Sequence, residues 1–481
     1  MAMRTRRLFL KLLLLLATLV LVTVNSYVTV TKYKIGNRTY YEKFEQPWFR
    51  HMHYDHDPVD ADTKEESAFG KHYVPEDDVF IAPDWNAHEL KYMGCLNRTC
   101  VCGYYRGHVK NGECYLPSGK ILKRAVRHEL RSMKDADRRQ IENAWNAMKT
   151  SGLYNRIGRV HKYSGVHSGP AFTLWHREFL KRLEIALRDH MNNPDFGLPF
   201  WDSTLDSLLP DPKDSIIFSE LFLGEVDDHG YVKNGPYHNW ETMEGRAQIF
   251  RNFDEDDSGE MLNDARVDWL IQNPDINMIL GATMPLTTCS MNHTLDARML
   301  EFSHDYVHFF VNGDMSKSYS SSNDICFVYH HGMIDWIFET WRQNIQSREE
   351  RETQYPKSDE RCFPYWHNAE NSMPLLHPLK NKDALSNGYT DFMYEYAPRA
   401  TCSKERPDCD SPYLFCYIPT NEDQPPTCVS KVRRNGSCHG FDGYPICYWG
   451  ECVDGKCDET AKKTAKDQFK KFDKNLVPFV M

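Results

Sequence analysis

The most constraining feature of this 481-residue sequence is the position of its histidines within helical patterns. Apolar residues recur every three or four positions in Ala171–His190, and His176 lies on the same stripe. This spacing predicts an amphipathic helix whose apolar face packs against a core and carries His176 into it. The chain has 21 histidines, and the spacing of several others predicts that they point into the same core.

Two further histidines are predicted to converge with His176. Apolar residues precede His161 at steps of four, so an upstream helix directs it towards the same interior. His167 lies nine residues before His176, and on one continuous helix the two would point to opposite faces. Gly169-Pro170 interrupts the helix between them, so His167 can approach from a loop.

A second group of histidines begins with His304 and His308. Residues four apart lie on one helical face, with Cβ atoms about 6 Å apart, so this pair can bind one metal ion. Glu301 falls on the same helical face. The pair therefore predicts a second metal-binding helix.

His330 and His331 follow in the next predicted helix. Adjacent helical residues point about 100° apart, so only one of the two joins a given site. Asp335 lies four residues after His331, where a hydrogen bond could fix the ring of that histidine.

Two groups of three histidines indicate a site for two metal ions. Burying six imidazoles without partners would cost a few kcal/mol each, and binding a metal removes that cost. Three neutral imidazoles per ion, with no thiolate or carboxylate, favour copper or zinc and disfavour magnesium and calcium. Because the two groups have the same composition, a paired centre is favoured over a single catalytic zinc.

Most of the 15 cysteines fall into two clusters that predict disulfide-bonded modules. The first cluster holds Cys95, Cys100, Cys102 and Cys114; the second holds Cys402, Cys409, Cys416, Cys428, Cys438, Cys447, Cys452 and Cys457. No CxxC pair occurs, so zinc knuckles are a weaker alternative. The odd total leaves at least one thiol free or paired between chains. Glycosylation sequons at Asn37, Asn97, Asn292 and Asn435 agree with export.

The N-terminus predicts a secretory signal peptide in residues 1–26. A basic segment, Arg4–Arg7, precedes an apolar run that ends near Ser26. Its uninterrupted part, Leu12–Val24, is shorter than the ~20 residues that cross a bilayer, so cleavage is favoured over an uncleaved anchor. We therefore expect a secreted, extracellular protein with no membrane association after cleavage. The formal charge of −10 disfavours a nucleic-acid partner.

Composition divides the rest of the chain into five segments. We expect a polar segment at 27–94, a small cysteine-rich module at 95–119, the main domain at 120–398, a C-terminal cysteine-rich module at 399–458 and a basic tail at 459–481. The C-terminal module is too small to hold a core without disulfides.

Three motifs of the main domain resemble those of one family. The segment from His167 to Leu180, HSGPAFTLWHREFL, resembles the first copper motif of tyrosinases. The segment from His304 to Trp336 resembles their second copper motif, and Pro199-Phe-Trp-Asp202 resembles the linker motif between the two. The resemblance covers roughly residues 124–391. The C-terminal module is similar to those of molluscan secreted shell-matrix tyrosinase-like proteins.

This resemblance implies a mainly α-helical domain in which a four-helix bundle holds a type 3 dicopper centre, with small disulfide-rich flanking modules. The ligands it implies are His161, His167 and His176 for the first copper, and His304, His308 and His331 for the second. His330 is then a neighbour of the site. The implied activity converts monophenols and o-diphenols to o-quinones with dioxygen, for pigment formation or cross-linking of matrix proteins. The implied partners are phenolic small molecules or protein-bound tyrosine, dioxygen, and an extracellular matrix.

Glu301 and Asp305 are the candidate acceptors for the proton of a phenol. The structural alternative for both is a solvated helix face or an ion pair with Arg298. Asp305 stands where many monophenol-active members of the family have Asn. It could activate a phenol more strongly or restrict the enzyme to diphenols. Gly165 stands where other branches place a thioether-forming cysteine, so no such crosslink is expected.

Three alternative functions stay open. The first is a catechol oxidase without activity on monophenols, and the second is a dioxygen carrier similar to haemocyanin. Such carriers are multidomain or bear a shielding domain, so the small cystine module argues against this reading. The third is a catalytically silent matrix protein, and the six filled ligand positions argue against it.

Overall fold

The computed structural model describes residues 26–35, 38–47, 87–191, 193–253, 259–290, 295–421 and 424–461. The predicted signal peptide up to residue 25, most of the polar segment and the basic tail from residue 462 lie outside these residues, as do the sequons Asn37 and Asn292. Within the described ranges, every helix is too short or too polar to cross a membrane. The predicted segment boundaries stay predictions.

The chain divides into two compact units, residues 1–64 and 65–481. In the first unit, strand β1 (Ser26–Ile35) pairs antiparallel with β2 (Arg38–Pro47). Composition indicates only a polar segment here and does not predict the hairpin.

The second unit is mainly helical, as expected. Its α-helices are α1 (Ala87–Met93), α2 (Arg98–Val101), α3 (Asp135–Thr150), α4 (Leu153–Ser164), α5 (Phe172–Asp189), α6 (Asp264–Ile271), α7 (Asn277–Leu280), α8 (Leu300–Val311), α9 (Ile325–Ile345) and α10 (Arg348–Thr353). Short 3-10 turns span Leu130–Ser132, Ser203–Asp206, Pro212–Asp214, Ile216–Phe218, Gly313–Ser316, Ser321–Asn323, Tyr365–His367 and Asn381–Leu385, and a π-helical turn spans Tyr389–Met393.

The strands of this unit are short and form two-stranded ladders. Antiparallel pairs join β3 (His108–Lys110) to β4 (Glu113–Tyr115), β7 (Leu414–Tyr417) to β8 (Thr427–Ser430), and β9 (Glu451–Val453) to β10 (Lys456–Asp458). The parallel pair joins β5 (Ala125–Arg127) to β6 (Tyr394–Tyr396) and so brings the two ends of the main domain together.

Helices α5 and α9 pack against each other at the centre of the unit, and α8 also packs on α9. Helix α3 packs on both α4 and α5. The predicted helix Ala171–His190 is confirmed, because α5 begins and ends within one residue of those bounds. Helix α9 begins after Asp324, whose side chain accepts a hydrogen bond from the backbone N–H of Cys326. The four-helix bundle itself stays a prediction.

Helix α5 differs from the predicted amphipathic helix because it is buried on all sides. Most of its charged residues are buried in ion pairs instead of facing solvent. They include Arg182 with Glu178 at 2.7 Å, Lys181 with Glu178 at 3.0 Å and Glu184 with Arg127 at 2.7 Å. A buried charge needs such a partner, and the partners come partly from outside the helix, where helical periodicity gives no signal.

The cysteine clusters form disulfides, as predicted. Within the clusters the bonds are Cys95–Cys100, Cys102–Cys114, Cys402–Cys416, Cys409–Cys428, Cys438–Cys452 and Cys447–Cys457. A seventh bond, Cys289–Cys362, lies between the clusters in the main domain. Because these sulfurs are consumed in disulfides, the zinc alternative is wrong. The unpaired cysteine is Cys326, which is buried in α9 and therefore closed to pairing with another chain.

The C-terminal module docks on the main domain through polar contacts. Tyr413 donates its hydroxyl to Asp135 at 2.6 Å, and Ser411 donates to the carbonyl of Arg131 at 2.6 Å. These bonds fix the module against the start of α3.

Candidate metal centre

The histidines of the first predicted group lie together. His161 comes from α4, His167 from the loop that joins α4 to α5, and His176 from α5. One ring nitrogen of each lies within 4.8 Å of one ring nitrogen of the other two. The ring centroids are 4.9 Å apart for His167 and His176 and 5.4 Å apart for His161 and His167. Three separate elements thus deliver three imidazoles to one point.

The second group is equally compact. Nε2 of His331, on α9, lies 3.1 Å from Nε2 of His304 and 3.3 Å from Nε2 of His308, both on α8. The i, i+4 pair of α8 therefore faces one histidine of α9. All three rings are buried.

His330 also approaches this group, with a ring nitrogen within 4.8 Å of a nitrogen of His304 and of His308. Its Nε2 lies 3.1 Å from the backbone carbonyl of His304, and its ring stacks on that of His304. A nitrogen that donates to a carbonyl cannot also bind a metal. His330 could therefore offer only its Nδ1, whereas His331 directs its Nε2 at the Nε2 atoms of both α8 histidines. This position favours His331 as the third member, although both histidines are buried beside the pair.

The two histidine groups contact each other through their rings. The rings of His176 and His331 stack with centroids 4.3 Å apart, and His167 lies 6.4 Å from His304. Two ions held by these groups would therefore be close neighbours.

Oxygen atoms of the chain hold Nδ1 in four of the six rings. The pairs are His167 with the carbonyl of Gly165 at 3.3 Å, His176 with that of Phe172 at 2.8 Å, His308 with that of Met315 at 2.6 Å, and His304 with Asp305 Oδ1 at 3.0 Å. Each contact favours a proton on Nδ1 and leaves the Nε2 lone pair for a metal.

These tautomers leave Nε2 lone pairs that a metal ion can satisfy. Nε2 of His176 is buried and has no hydrogen-bond partner among the residues that the structure describes. Among the described residues, the hydrogen-bond-length contact of Nε2 in His304 and in His308 is with Nε2 of His331. Lone pairs that face one another repel, and a metal ion between them removes that repulsion. The residues present therefore fit a bound metal.

Burial also keeps these imidazoles neutral. It lowers the pKa of His167 to about 3 and that of His308 to about 4, and it lowers the pKa of the other four rings well below 6.5. Neutral imidazole is the form that binds metals. The groups are therefore ready to bind at neutral pH without first losing a proton.

Glu301 is buried within α8, and both of its oxygens accept hydrogen bonds. Oε1 accepts from the backbone N–H of Ser168 at 2.5 Å, and Oε2 accepts from the hydroxyl of Thr283 at 2.8 Å. The structural alternative for Glu301 is wrong, because it is shielded from solvent and Arg298 pairs with Asp296 at 2.7 Å. Burial raises the pKa of Glu301 to about 8.

Asp305 is also buried, so a solvated helix face and a pair with Arg298 are wrong for this residue too. Its Oδ1 accepts from Nδ1 of His304. Burial raises its pKa well above the ordinary value, and the nearby Glu301 raises it further.

Asp335 does not make the predicted hydrogen bond to His331. Its Oδ2 accepts from the hydroxyls of Tyr394 at 2.7 Å and Tyr396 at 2.6 Å and from Arg127 at 3.0 Å. Nδ1 of His331 has no hydrogen-bond partner among the described residues. The correction has a physical reason: a buried guanidinium and two hydroxyls bind a carboxylate more strongly than one neutral imidazole does.

His367 is a residue beside the site that the sequence does not reveal. It lies in the 3-10 turn Tyr365–His367, and its Nδ1 accepts from the backbone N–H of Ala171 at 3.3 Å. Burial lowers its pKa to about 3, and a hydrogen bond to the backbone of His167 offsets this in part. A short turn far along the chain from α5 has no periodicity that could signal this contact.

The fold and the site together define a mainly helical metalloprotein domain with paired histidine groups. Residues 151–344 match the tyrosinase family model, described as the common central domain of tyrosinase. This match identifies that stretch, which contains every histidine of both groups, as a tyrosinase-family domain. Such a domain implies a type 3 dicopper centre, and the two histidine clusters fit copper binding.

Proteins of similar sequence are also described as tyrosinase-like. The tyrosinase-like protein tyr-3 of Caenorhabditis elegans is 37% identical over 382 residues, which cover 78% of this chain and 53% of that protein. Tyrosinase-like protein 1 of Margaritifera margaritifera is 30% identical over 326 residues, which cover 64% of this chain and 61% of that protein. The chain thus spans between half and two thirds of these relatives. Molluscan proteins are among the relatives, as the resemblance implied, beside a nematode protein of higher identity.

Similarity to solved structures is lower. A polyphenol oxidase variant from Thermothelomyces thermophila has a TM-score of 0.43 and 17% sequence identity, over 57% of this chain and 89% of that chain. A functional unit of octopus haemocyanin has a TM-score of 0.38 and 15% identity, over 57% and 68% of the two chains.

Proposed function

We propose that this chain is a secreted tyrosinase that converts monophenols and o-diphenols to o-quinones with dioxygen. The observation that carries the proposal is the convergence of Nε2 atoms from α8 and α9, with His331 3.1 Å from His304 and 3.3 Å from His308. Beside it, within stacking distance, lies a second group of three histidines.

In this proposal the first copper is held by His161, His167 and His176, and the second by His304, His308 and His331. When bound, the copper pair would supply the two-electron reduction of dioxygen that the oxidation of a phenol requires. The remaining chemistry belongs to the side chains around the pair.

These side chains orient the ligands and keep water out. The Nδ1 contacts described above fix the rings of His167, His176, His304 and His308 in the orientation that binding requires, at no cost when the metal enters. Phe327 packs on His331 with centroids 4.2 Å apart, and Phe172 packs on His304 at 4.7 Å. These apolar rings exclude water and strengthen every electrostatic contact in the site.

A proton acceptor must present an oxygen to the phenol. Both oxygens of Glu301 are taken by donors of the chain, whereas Oδ2 of Asp305 has no hydrogen bond to a described residue. Asp305 is therefore better placed than Glu301 to accept the proton. Its other oxygen holds His304, so an acid-base role would come in addition to orienting that ring.

Seven disulfides and the N-terminal signal support export, because such bonds persist in oxidising compartments. We propose that the protein acts outside the cell on phenolic small molecules or on protein-bound tyrosine, in contact with an extracellular matrix. N-terminal sequencing of the protein secreted by insect cells tests this directly. Cleavage near residue 26 is expected, and retention of the apolar run on a membrane would contradict it.

The activity is tested on the secreted, copper-loaded protein under air, with L-DOPA and then with tyrosine. We expect quinone formation and oxygen uptake with both substrates. Quinone from L-DOPA alone would indicate a catechol oxidase. Reversible oxygen uptake without quinone would indicate a carrier, and neither signal in a fully copper-loaded protein would indicate a silent matrix protein. A tyrosine-containing peptide, offered in the same assay, tests whether protein-bound tyrosine is a substrate.

A further inference from the structure

The loop that carries His167 has a conformation that it does not favour by itself. It joins the end of α4 to the start of α5, and Ser168 within it has φ of +72°. A side chain other than glycine is strained in this left-handed region. Such a conformation persists only when contacts from the surrounding structure hold it.

Two distant side chains supply those contacts. Oε1 of Glu301 accepts from the backbone N–H of Ser168 at 2.5 Å, and Nδ1 of His367 accepts from the backbone N–H of Ala171 at 3.3 Å. The His367 ring also hydrogen-bonds the backbone of His167. The loop is thus held on both sides of its strained residue.

The loop is shaped for the His367 ring. A Cβ atom on Gly169 would lie 2.9 Å from both Cε1 and Nδ1 of His367, so a larger residue would push the ring away. Glycine at this position therefore permits the imidazole to lie directly on the backbone of the loop.

Glu301 also connects the two histidine groups. It lies on α8, the helix that carries His304 and His308, while its Oε1 holds the loop that carries His167. Thr283 donates to Oε2 and fixes the carboxylate from the other side. One buried side chain therefore links the backbone of the first group to the helix of the second.

We propose that Glu301 and His367 are positioning residues that clamp the Gly165–Ala171 loop, and that Glu301 thereby sets the spacing between the two metal-binding groups. Glu301 then acts through Ser168 and His167, and it does not take a proton from the substrate. The activity part of this inference rests on the proposed oxidase function, whereas the clamp itself does not.

The first test uses hydrogen exchange of the copper-free protein. In Glu301→Ala, the amide of Ser168 should exchange at least about tenfold faster than in the wild type, because its acceptor is gone. Glu301→Gln keeps an amide oxygen as acceptor, so it should retain most of the protection. Glu349→Ala, an exposed change on α10, is the control. Unchanged exchange of Ser168 in Glu301→Ala would overturn the clamp.

His367 is tested in the same way. Asn places its Oδ1 close to the position of Nδ1, so His367→Asn should keep protection at Ala171, whereas His367→Phe should lose it. Exchange at Ala171 in His367→Phe that is as slow as in the wild type would exclude a role for His367. Circular dichroism of each variant separates loss of the clamp from global unfolding.

Copper binding and activity complete the test. Competition with a chelator should show an affinity about 10- to 100-fold weaker in Glu301→Ala, with most of it restored in Glu301→Gln. Quinone formation per bound copper should fall by less than about threefold in Glu301→Gln. If Glu301 were instead the base, that variant would keep its copper but lose about 100-fold or more in rate. Absence of activity in the copper-loaded wild type would reject the proposed function, while the exchange and affinity results would still decide the clamp.

Discussion

His304 and Asp305 are neighbours in sequence and also hydrogen-bonded to each other, with 3.0 Å between Nδ1 of the histidine and Oδ1 of the aspartate. Both side chains are buried. The Asp305 side chain therefore fixes the tautomer of a proposed copper ligand, and an oxygen that accepts from Nδ1 makes the imidazole a stronger ligand for a metal through Nε2.

Replacing Asp305 tests this pair. In Asp305→Ala the ring of His304 loses its acceptor, so the affinity for the second copper should fall about 10- to 100-fold. Asp305→Asn keeps an oxygen that can accept from Nδ1, so its affinity for the second copper should fall by a smaller factor. The amount of copper that each variant retains in the presence of a chelator measures this affinity. Equal affinity in the wild type and Asp305→Ala would show that the contact does not support the ligand.

Adjacent histidines on α9 allow a matched comparison. Nε2 of His331 faces His304 and His308, whereas Nε2 of His330 donates to the carbonyl of His304. His331→Gln should lose one of two coppers and all quinone formation. His330→Gln keeps a donor for the carbonyl and should retain both coppers. Metal analysis of the two purified proteins measures how many coppers each retains. Loss of copper in His330→Gln but not in His331→Gln would make His330 the ligand and His331 its neighbour.

Asp335 should contribute to stability and not to metal binding. Its carboxylate accepts hydrogen bonds from Tyr394, Tyr396 and Arg127, all buried or nearly so. Removal of one partner from a buried ion pair costs about 3–5 kcal/mol. Asp335→Ala should therefore lower the free energy of unfolding by about that amount, while the folded protein still binds two coppers.

Urea denaturation of the copper-free protein measures this loss. Asp391→Asn is the matched control, because Asp391 pairs with Arg348 at the surface and exposed pairs contribute about 1 kcal/mol or less. If Asp335→Ala were as stable as the control but lost one copper, Asp335 would act on the metal ligand His331, as the sequence suggests, and not on the stability of the fold.

Local periodicity explains which parts of this site could be predicted. The bounds of α5 and the convergence of His161, His167 and His176 follow from apolar spacing and one Gly-Pro break. The i, i+4 spacing likewise placed His304 and His308 on one face of α8. These features depend on residues close together in sequence, so the sequence contains enough information to predict them.

Contacts between distant segments could not be predicted. Ser168 and Thr283 bind the two oxygens of Glu301 from segments 133 and 18 residues away in the chain, so the sequence shows only a carboxylate on a helix face. His367 reaches Ala171 from a short turn, and Asp335 finds its partners in β5 and β6. Each of these contacts forms only after the tertiary fold brings the residues together. A buried polar group then pairs with the strongest hydrogen-bond partner within reach.

The last prediction concerns pH and a residue away from the metal site. Burial raises the pKa of Glu142 in α3 from 4.5 to about 7, although Arg138 lies 3.4 Å away and lowers it. Between these pH values the folded chain holds a proton that the unfolded chain releases. The free energy of unfolding should therefore fall as the pH rises from 4.5 to 7.

Glu142→Gln removes this titration. The stability difference between the wild type and Glu142→Gln should change by at most about 3 kcal/mol across the window, in the direction of a weaker wild type at higher pH. Urea denaturation of the copper-free proteins at several pH values measures it, because bound copper would add its own pH dependence. Glu349→Gln, exposed on α10, should follow the wild type throughout. A constant difference between the wild type and Glu142→Gln would mean that Arg138 keeps the carboxylate ionised, so that ion pairing outweighs burial at this position.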